Sequence, residues 1–215
     1  MEIGNQIICG NHLNVLPLFP DACIDMWITS PPYDSYDGRY RLRDYEGYDF
    51  QFEPLARELY RVLKPGGVGV WVVNDATING SETLTSFKQA LYFKEVGFNV
   101  HDTMIYEKLN GTMGSDRTYL QCFEYMFVLC KGKPLTSNLL RDRKNVRSGI
   151  ETALRHGRNK YGNIPDRVKV ELSEYGRRKN IWMYGVGGKQ CFDDHPAIFP
   201  EKLAEDHILS WSNPG

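Results

Sequence analysis

Thr29-Ser30-Pro31-Pro32-Tyr33 brings a hydroxyl, two conformationally fixed residues and an aromatic ring within five positions. The hydroxyl and the carbonyls beside it can accept hydrogen bonds, the ring offers a face for stacking, and the prolines hold both in place. The string closes Ile24-Asp25-Met26-Trp27-Ile28-Thr29, an apolar run that reads as a buried strand. Pro31 and Pro32 stop it because neither can donate to a ladder. In open α/β sheets ligands sit at the carboxyl ends of the strands, so this is the place to look for chemistry. A proline-stiffened loop with an incidental tyrosine is the plainer alternative. Average composition yields such a pentapeptide in about one chain of this length in ten thousand. The five cysteines (Cys9, Cys23, Cys122, Cys130, Cys191) include no C-x-x-C pair. They read as reduced thiols, with no metal site and no disulfide framework.

The elements that must position this loop follow the α/β alternation. Leu13, Val15, Leu16 and Leu18 suggest a short helix ending at Pro20. Leu55, Leu59, Val62 and Leu63 recur at helical spacing from Pro54 to Lys64, and Pro65-Gly66-Gly67 should stop that helix. Val68 to Val73 reads as a second buried strand. A helix over 84–96, a strand over 100–106, a strand over 122–130 and a last helix from Phe199-Pro200 to about Leu209 complete the pattern. Regular structure resumes near Asn180-Ile181-Trp182 after a long interruption. With 215 residues the chain suits one substantial domain, or one domain with an insertion.

The interruption differs in charge from everything around it. The whole chain is near neutral, 26 basic against 27 acidic residues. Residues 141–179 hold twelve Lys/Arg against five acids, and the remainder is 14 basic against 22 acidic. A basic insert on an acidic body suggests a polyanion-binding module, with a merely solvated loop as the alternative. No apolar run nears the ~20 residues of a membrane span, and the first twelve residues show no signal-peptide core. A cytoplasmic protein, in a prokaryotic or phage-host cytoplasm, is the expectation.

Ser30-Pro31-Pro32-Tyr33 resembles the catalytic motif of the amino-group DNA methyltransferases, [Asp/Asn/Ser]-Pro-Pro-[Tyr/Phe/Trp] after a strand. Two further strings carry the resemblance. Leu63-Lys64-Pro65-Gly66-Gly67 followed by Val68 to Val72 is similar to the family's next helix-turn-strand. His195-Pro196-Ala197-Ile198-Phe199-Pro200 with Leu203 is similar to its cofactor-side helix motif. The resemblance implies a Rossmann-like α/β fold, S-adenosylmethionine as cofactor and double-stranded DNA as partner. It implies transfer of a methyl group to the exocyclic amine of a flipped base. Ser30, Pro31, Pro32 and Tyr33 would be catalytic, and His195, Pro196, Ala197, Phe199, Pro200 and Leu203 would face the cofactor. Ser30 in the first position favours cytosine N4 over adenine N6. The absence of any Pro-Cys dipeptide argues against carbon-5 chemistry, which needs a thiolate. Asp25 resembles the acidic residue the family often keeps in the catalytic strand.

Only about thirty residues precede the catalytic loop, and the cofactor-side motif follows the basic insert. That order resembles the circularly permuted subclass: catalytic region 1–133, target-recognition insert 134–180, start of the cofactor region 181–215. Within the insert, Arg141, Arg143, Lys144, Arg147, Arg177, Arg178 and Lys179 would contact DNA. The loop from Asp34 to Phe50 interleaves Tyr36, Tyr40, Tyr45 and Tyr48 with Arg39, Arg41 and Arg43. Arg39 and Arg41 would clamp DNA beside the catalytic loop, although Asp37, Asp44, Glu46 and Asp49 can balance them. The chain departs from the family in one respect. The glycine-rich cofactor turn, Asp-Pro-Phe-x-Gly-x-Gly, is not found among the 215 residues, and Gly185-Val186-Gly187-Gly188 is a poor substitute. The fold is therefore expected to be incomplete at its C-terminal side, with a C-terminal segment or partner chain completing the cofactor site. A homodimer is compatible with the sequence. Two other readings stay open: a non-catalytic DNA-binding remnant and an amino-methyltransferase acting on RNA.

Overall fold

The computed structural model describes residues 4–33, 50–112, 117–146, 148–149, 151–154, 161–163, 168–185 and 198–214. In chain order the elements are α1 (His12–Val15), a 3-10 turn (Leu16–Leu18), β1 (Ile24–Thr29), α2 (Phe52–Val62) and β2 (Leu63–Val73). There follow β3 (Thr77–Ile78), β4 (Ser81–Glu82), α3 (Thr85–Val96), β5 (Asn99–Thr112) and β6 (Gln121–Cys130). The last are β7 (Arg143–Lys144), β8 (Glu151–Leu154), β9 (Val168–Glu171), β10 (Tyr175–Gly176), β11 (Ile181–Tyr184) and α4 (Glu201–Trp211). The chain divides into two compact units, residues 1–138 with 180–215, and residues 139–179. Among the described residues no helix is long and apolar enough to cross a membrane.

The larger unit is built on a sheet ordered β1-β2-β6-β5-β11. β1 runs parallel to β2, and β11 parallel to β5, while β6 is antiparallel to both of its neighbours. The short stretch between β5 and β6 makes them a hairpin, which forces that antiparallel pairing. β6 is therefore an antiparallel strand whose run Met126–Cys130 is buried all the same. α2 presents Leu55, Ala56, Leu59 and Val62 to the core, as their spacing requires. Leu55, Ala56 and Leu59 pack with Trp71, Phe93, Phe98, Phe127 and Leu129. The Trp71 indole N–H donates to Gln89 Oε1 at 2.8 Å, so the ring is buried without an orphan donor.

Helix α2 ends earlier than its apolar pattern suggests, at Val62. Leu63 already has extended backbone, and Ile24 pairs with Leu63 before a bulge that brings Met26 opposite Val68. Lys64-Pro65-Gly66-Gly67 fills that bulge, so the turn residues interrupt the strand pairing rather than a helix end. Two devices fix β1. Gly69 on β2 carries no side chain because the Trp27 ring lies where its Cβ would stand, 2.1 Å away. The Arg61 guanidinium donates to the carbonyls of Leu16 and Phe19 at 2.8 Å each and pairs with Glu58 and Asp21. These acids hold its pKa above the usual arginine range. Arg61 thereby ties α2 to the turn preceding β1.

Among its described residues the smaller unit has two short antiparallel ladders, β7 with β10 and β8 with β9.

Candidate active site

Ser30 follows directly on β1, whose Thr29 pairs with Trp71 of β2. Pro31 is buried, Pro32 and Tyr33 are half-buried, and Ser30 is exposed. The fixed φ of the prolines turns the chain so that the Tyr33 ring packs against the core cluster. The Ser30 Oγ and the Tyr33 hydroxyl lie 2.9 Å apart. The Tyr33 hydroxyl in turn donates to Glu124 Oε2 at 2.7 Å. Glu124 belongs to β6, and its other oxygen meets Lys108 Nζ of β5 at 2.5 Å. That pair is mostly out of water, with side chains 12% and 19% exposed respectively. Tyr106 pairs with Glu124 across the ladder, and alternation along β5 puts Lys108 on the same face. Burial, together with the Glu124 charge, pushes the Tyr106 phenol up to about 12.

A cavity of about 400 Å³ opens beside this loop. Ser30, Pro31 and Pro32 form one wall, with Trp27, Phe50 and Trp71 among the aromatic residues lining the rest. The size is that of a small-molecule or single-base site. Trp27 also carries a buried indole N–H that has no hydrogen-bond partner among the described residues. Aromatic walls fit a flat heterocycle. Among the described residues no carboxylate lines the cavity.

The other expected site residues fall into three groups. Phe199, Pro200 and Leu203 lie at the start of α4. The Pro200 carbonyl accepts from the Leu203 and Ala204 N–H groups, and Leu203 is fully buried. Leu203 is thus a packing residue of a helix that lies against β1 and β2. His195, Pro196, Ala197, Arg39, Arg41 and Arg147 lie outside the described residues. In the smaller unit, Arg141, Lys144, Arg177 and Lys179 are exposed. Arg143 donates to the Arg177 carbonyl at 3.1 Å, and Arg178 Nε donates to Asp142 Oδ2 at 2.7 Å. Arg143 is itself exposed and Arg178 half-buried. Asp25 is 73% exposed and pairs with Lys64 at 2.8 Å, which is a surface ion pair across the bulge. Glu124 and Lys108 went unnoticed in the sequence, because only the β5–β6 pairing brings them to a loop about ninety residues earlier.

The sequence profile of the family described as DNA methylase, covering the N6 and N4 methyltransferases, matches residues 24–215. The chain belongs to that family. It is 54% identical over 202 residues to the orphan methyltransferase M.BamHII of Bacillus amyloliquefaciens, covering 91% of this chain and 74% of that protein. It is 23% identical to the type II methyltransferase M.BglII of Bacillus subtilis, covering 98% of this chain and 57% of the relative. Among solved structures, the cytosine-N4-specific PvuII DNA methyltransferase superposes with a TM-score of 0.60 at 16% identity. That match covers 95% of this chain and 69% of the other, and it establishes the α/β methyltransferase fold.

Proposed function

We propose that the protein transfers a methyl group from S-adenosylmethionine to the exocyclic amine of a base flipped out of duplex DNA. Cytosine N4 is the favoured target over adenine N6. One observation carries the reading: Ser30-Pro31-Pro32-Tyr33 stands at the carboxyl end of β1, and its first three residues line a cavity together with Trp27, Phe50 and Trp71. When bound, S-adenosylmethionine supplies a methyl group on a sulfonium, which is already an excellent leaving group. The difficulty lies with the amine, whose lone pair is delocalised into the ring. Ser30 Oγ and a carbonyl near Pro31 accept its two hydrogens, pyramidalise the nitrogen and free the lone pair. Positioning then supplies most of the rate. Tyr33 gives the extruded base an aromatic face, which offsets part of the cost of unstacking it. His195, Pro196, Ala197, Phe199 and Pro200 serve the methionine side of the cofactor site, and Leu203 seats the helix α4 that follows them. The basic unit 139–179 serves as the target-recognition region, through its exposed Arg141, Lys144, Arg177 and Lys179.

The names of the relatives, which include type II methyltransferases, support a role in DNA modification. Protein from the intact reading frame, given labelled S-adenosylmethionine and host duplex DNA, should yield N4-methylcytosine on nucleoside digestion. N6-methyladenine would move the target to the other amine. Label entering RNA in preference to duplex DNA would overturn the assignment of the substrate.

A further inference from the structure

We propose that Glu124, held by Lys108, sets the direction of a hydrogen-bond chain through Tyr33 that makes Ser30 an acceptor for the target amine, and that it receives the proton the amine releases. This rests on the methyltransferase reading above.

The direction follows from counting hydrogens. A carboxylate paired with an ammonium only accepts, so the single phenolic hydrogen of Tyr33 points at Glu124 Oε2. Tyr33 then has no hydrogen left for Ser30, and at 2.9 Å Ser30 must be the donor to the phenol oxygen. The one serine hydrogen is spent inside the protein. The exposed lone pairs of Ser30 Oγ are left for whatever enters the site. An amine, which donates, is welcomed there, and a carbonyl, which only accepts, is repelled. Without the carboxylate the chain could reverse and turn the serine hydrogen outward.

The same chain disposes of a proton. As the amine nitrogen bonds to the methyl carbon, the sulfur–carbon bond breaks and its electron pair stays on sulfur. The nitrogen must then lose one hydrogen as a proton. The N–H bond breaks toward Ser30 Oγ, Ser30 passes its own hydrogen to the Tyr33 oxygen, and Tyr33 passes its own to Glu124 Oε2. Each oxygen gains one O–H bond as it loses another, except that Glu124 ends as a neutral acid beside Lys108. Glu124 and Tyr33 are positioning residues here, acting through Ser30. The family pattern also admits Phe or Trp at this position, so the chain is a property of members with Tyr and a carboxylate opposite.

The test has a binding arm that needs no cofactor. Duplexes carrying the site mapped from methylated DNA are compared with duplexes in which the target base has a carbonyl in place of the amine. Wild type should prefer the amine by about tenfold or more, since mismatched acceptors at a buried contact cost on this scale. Tyr33→Phe and Glu124→Gln should bring the preference within about twofold, with affinity for unrelated duplex unchanged. Their single-turnover methylation rates should fall by roughly a hundredfold, the lower range for assisted proton transfer. Should Glu124→Gln fail to fold, Tyr33→Phe breaks the chain at one oxygen and carries the test alone. Wild-type preference and rate in both variants would overturn the proposal while leaving methyl transfer intact. A wild-type protein that methylates no DNA would remove the function and the chain with it.

Discussion

Tyr33 carries two duties at the residue scale, and they separate by substitution. The ring packs on the core and is the face proposed for the base, and the hydroxyl links Ser30 to Glu124. Tyr33→Ala removes both and should reduce methyl transfer by well over a hundredfold, beyond the loss in Tyr33→Phe, measured by single-turnover assay. Affinity for unrelated duplex should barely change, because phosphate contacts dominate it. Equal rates for the alanine variant and wild type would remove Tyr33 from the site. The serine, prolines and tyrosine were legible in the sequence because they are consecutive and rare together. Glu124 was not, since Cys122-Phe123-Glu124-Tyr125 reads as ordinary strand alternation until β5 and β6 are paired. Lys108 is likewise one lysine among many until its ammonium meets that carboxylate.

The basic segment makes the corresponding point at the scale of elements. Its excess of Lys and Arg, taken from composition, treats all of them as candidates for phosphate. The ladder of β7 with β10 sorts them. Arg143 and Arg178 each bond within the unit, to the Arg177 carbonyl and to Asp142, while Arg141, Lys144 and Arg177 are exposed. Replacing Arg141, Lys144 and Arg177 together by glutamine should flatten log affinity against log salt by up to roughly 0.9 per lost phosphate contact. The melting temperature should hold. Arg178→Gln should instead lower the melting temperature of the unit more than it alters the salt slope. An unchanged slope in the triple variant would mean that those charges are only solvated. The helices α2, α3 and α4 and the apolar strands were legible because their periodicity is enforced by a buried core. The end of α2 was not. There the pairing of Ile24 with Leu63 overrides the helical spacing that Leu63 continues. The hairpin of β3 and β4 was missed because two-residue strands carry no period at all.

At the scale of the whole molecule, parallel β1 and β2 bring one loop to the carboxyl edge of the sheet, and antiparallel β6 brings a carboxylate to meet it. Neither strand alone makes the site. The family match and the superposition on a cytosine-N4 enzyme place this arrangement in a methyltransferase fold. The methylation chemistry proposed for it rests on Ser30. Single-turnover transfer from labelled S-adenosylmethionine to a duplex bearing the mapped site, compared between wild type and Ser30→Ala in the intact reading frame, tests that claim most directly. The account predicts that Ser30→Ala binds unrelated duplex as wild type does and transfers methyl to the mapped site at least about a hundredfold more slowly, as expected when a positioned acceptor is lost. A Ser30→Ala protein that methylates the same amine at the wild-type rate would contradict it.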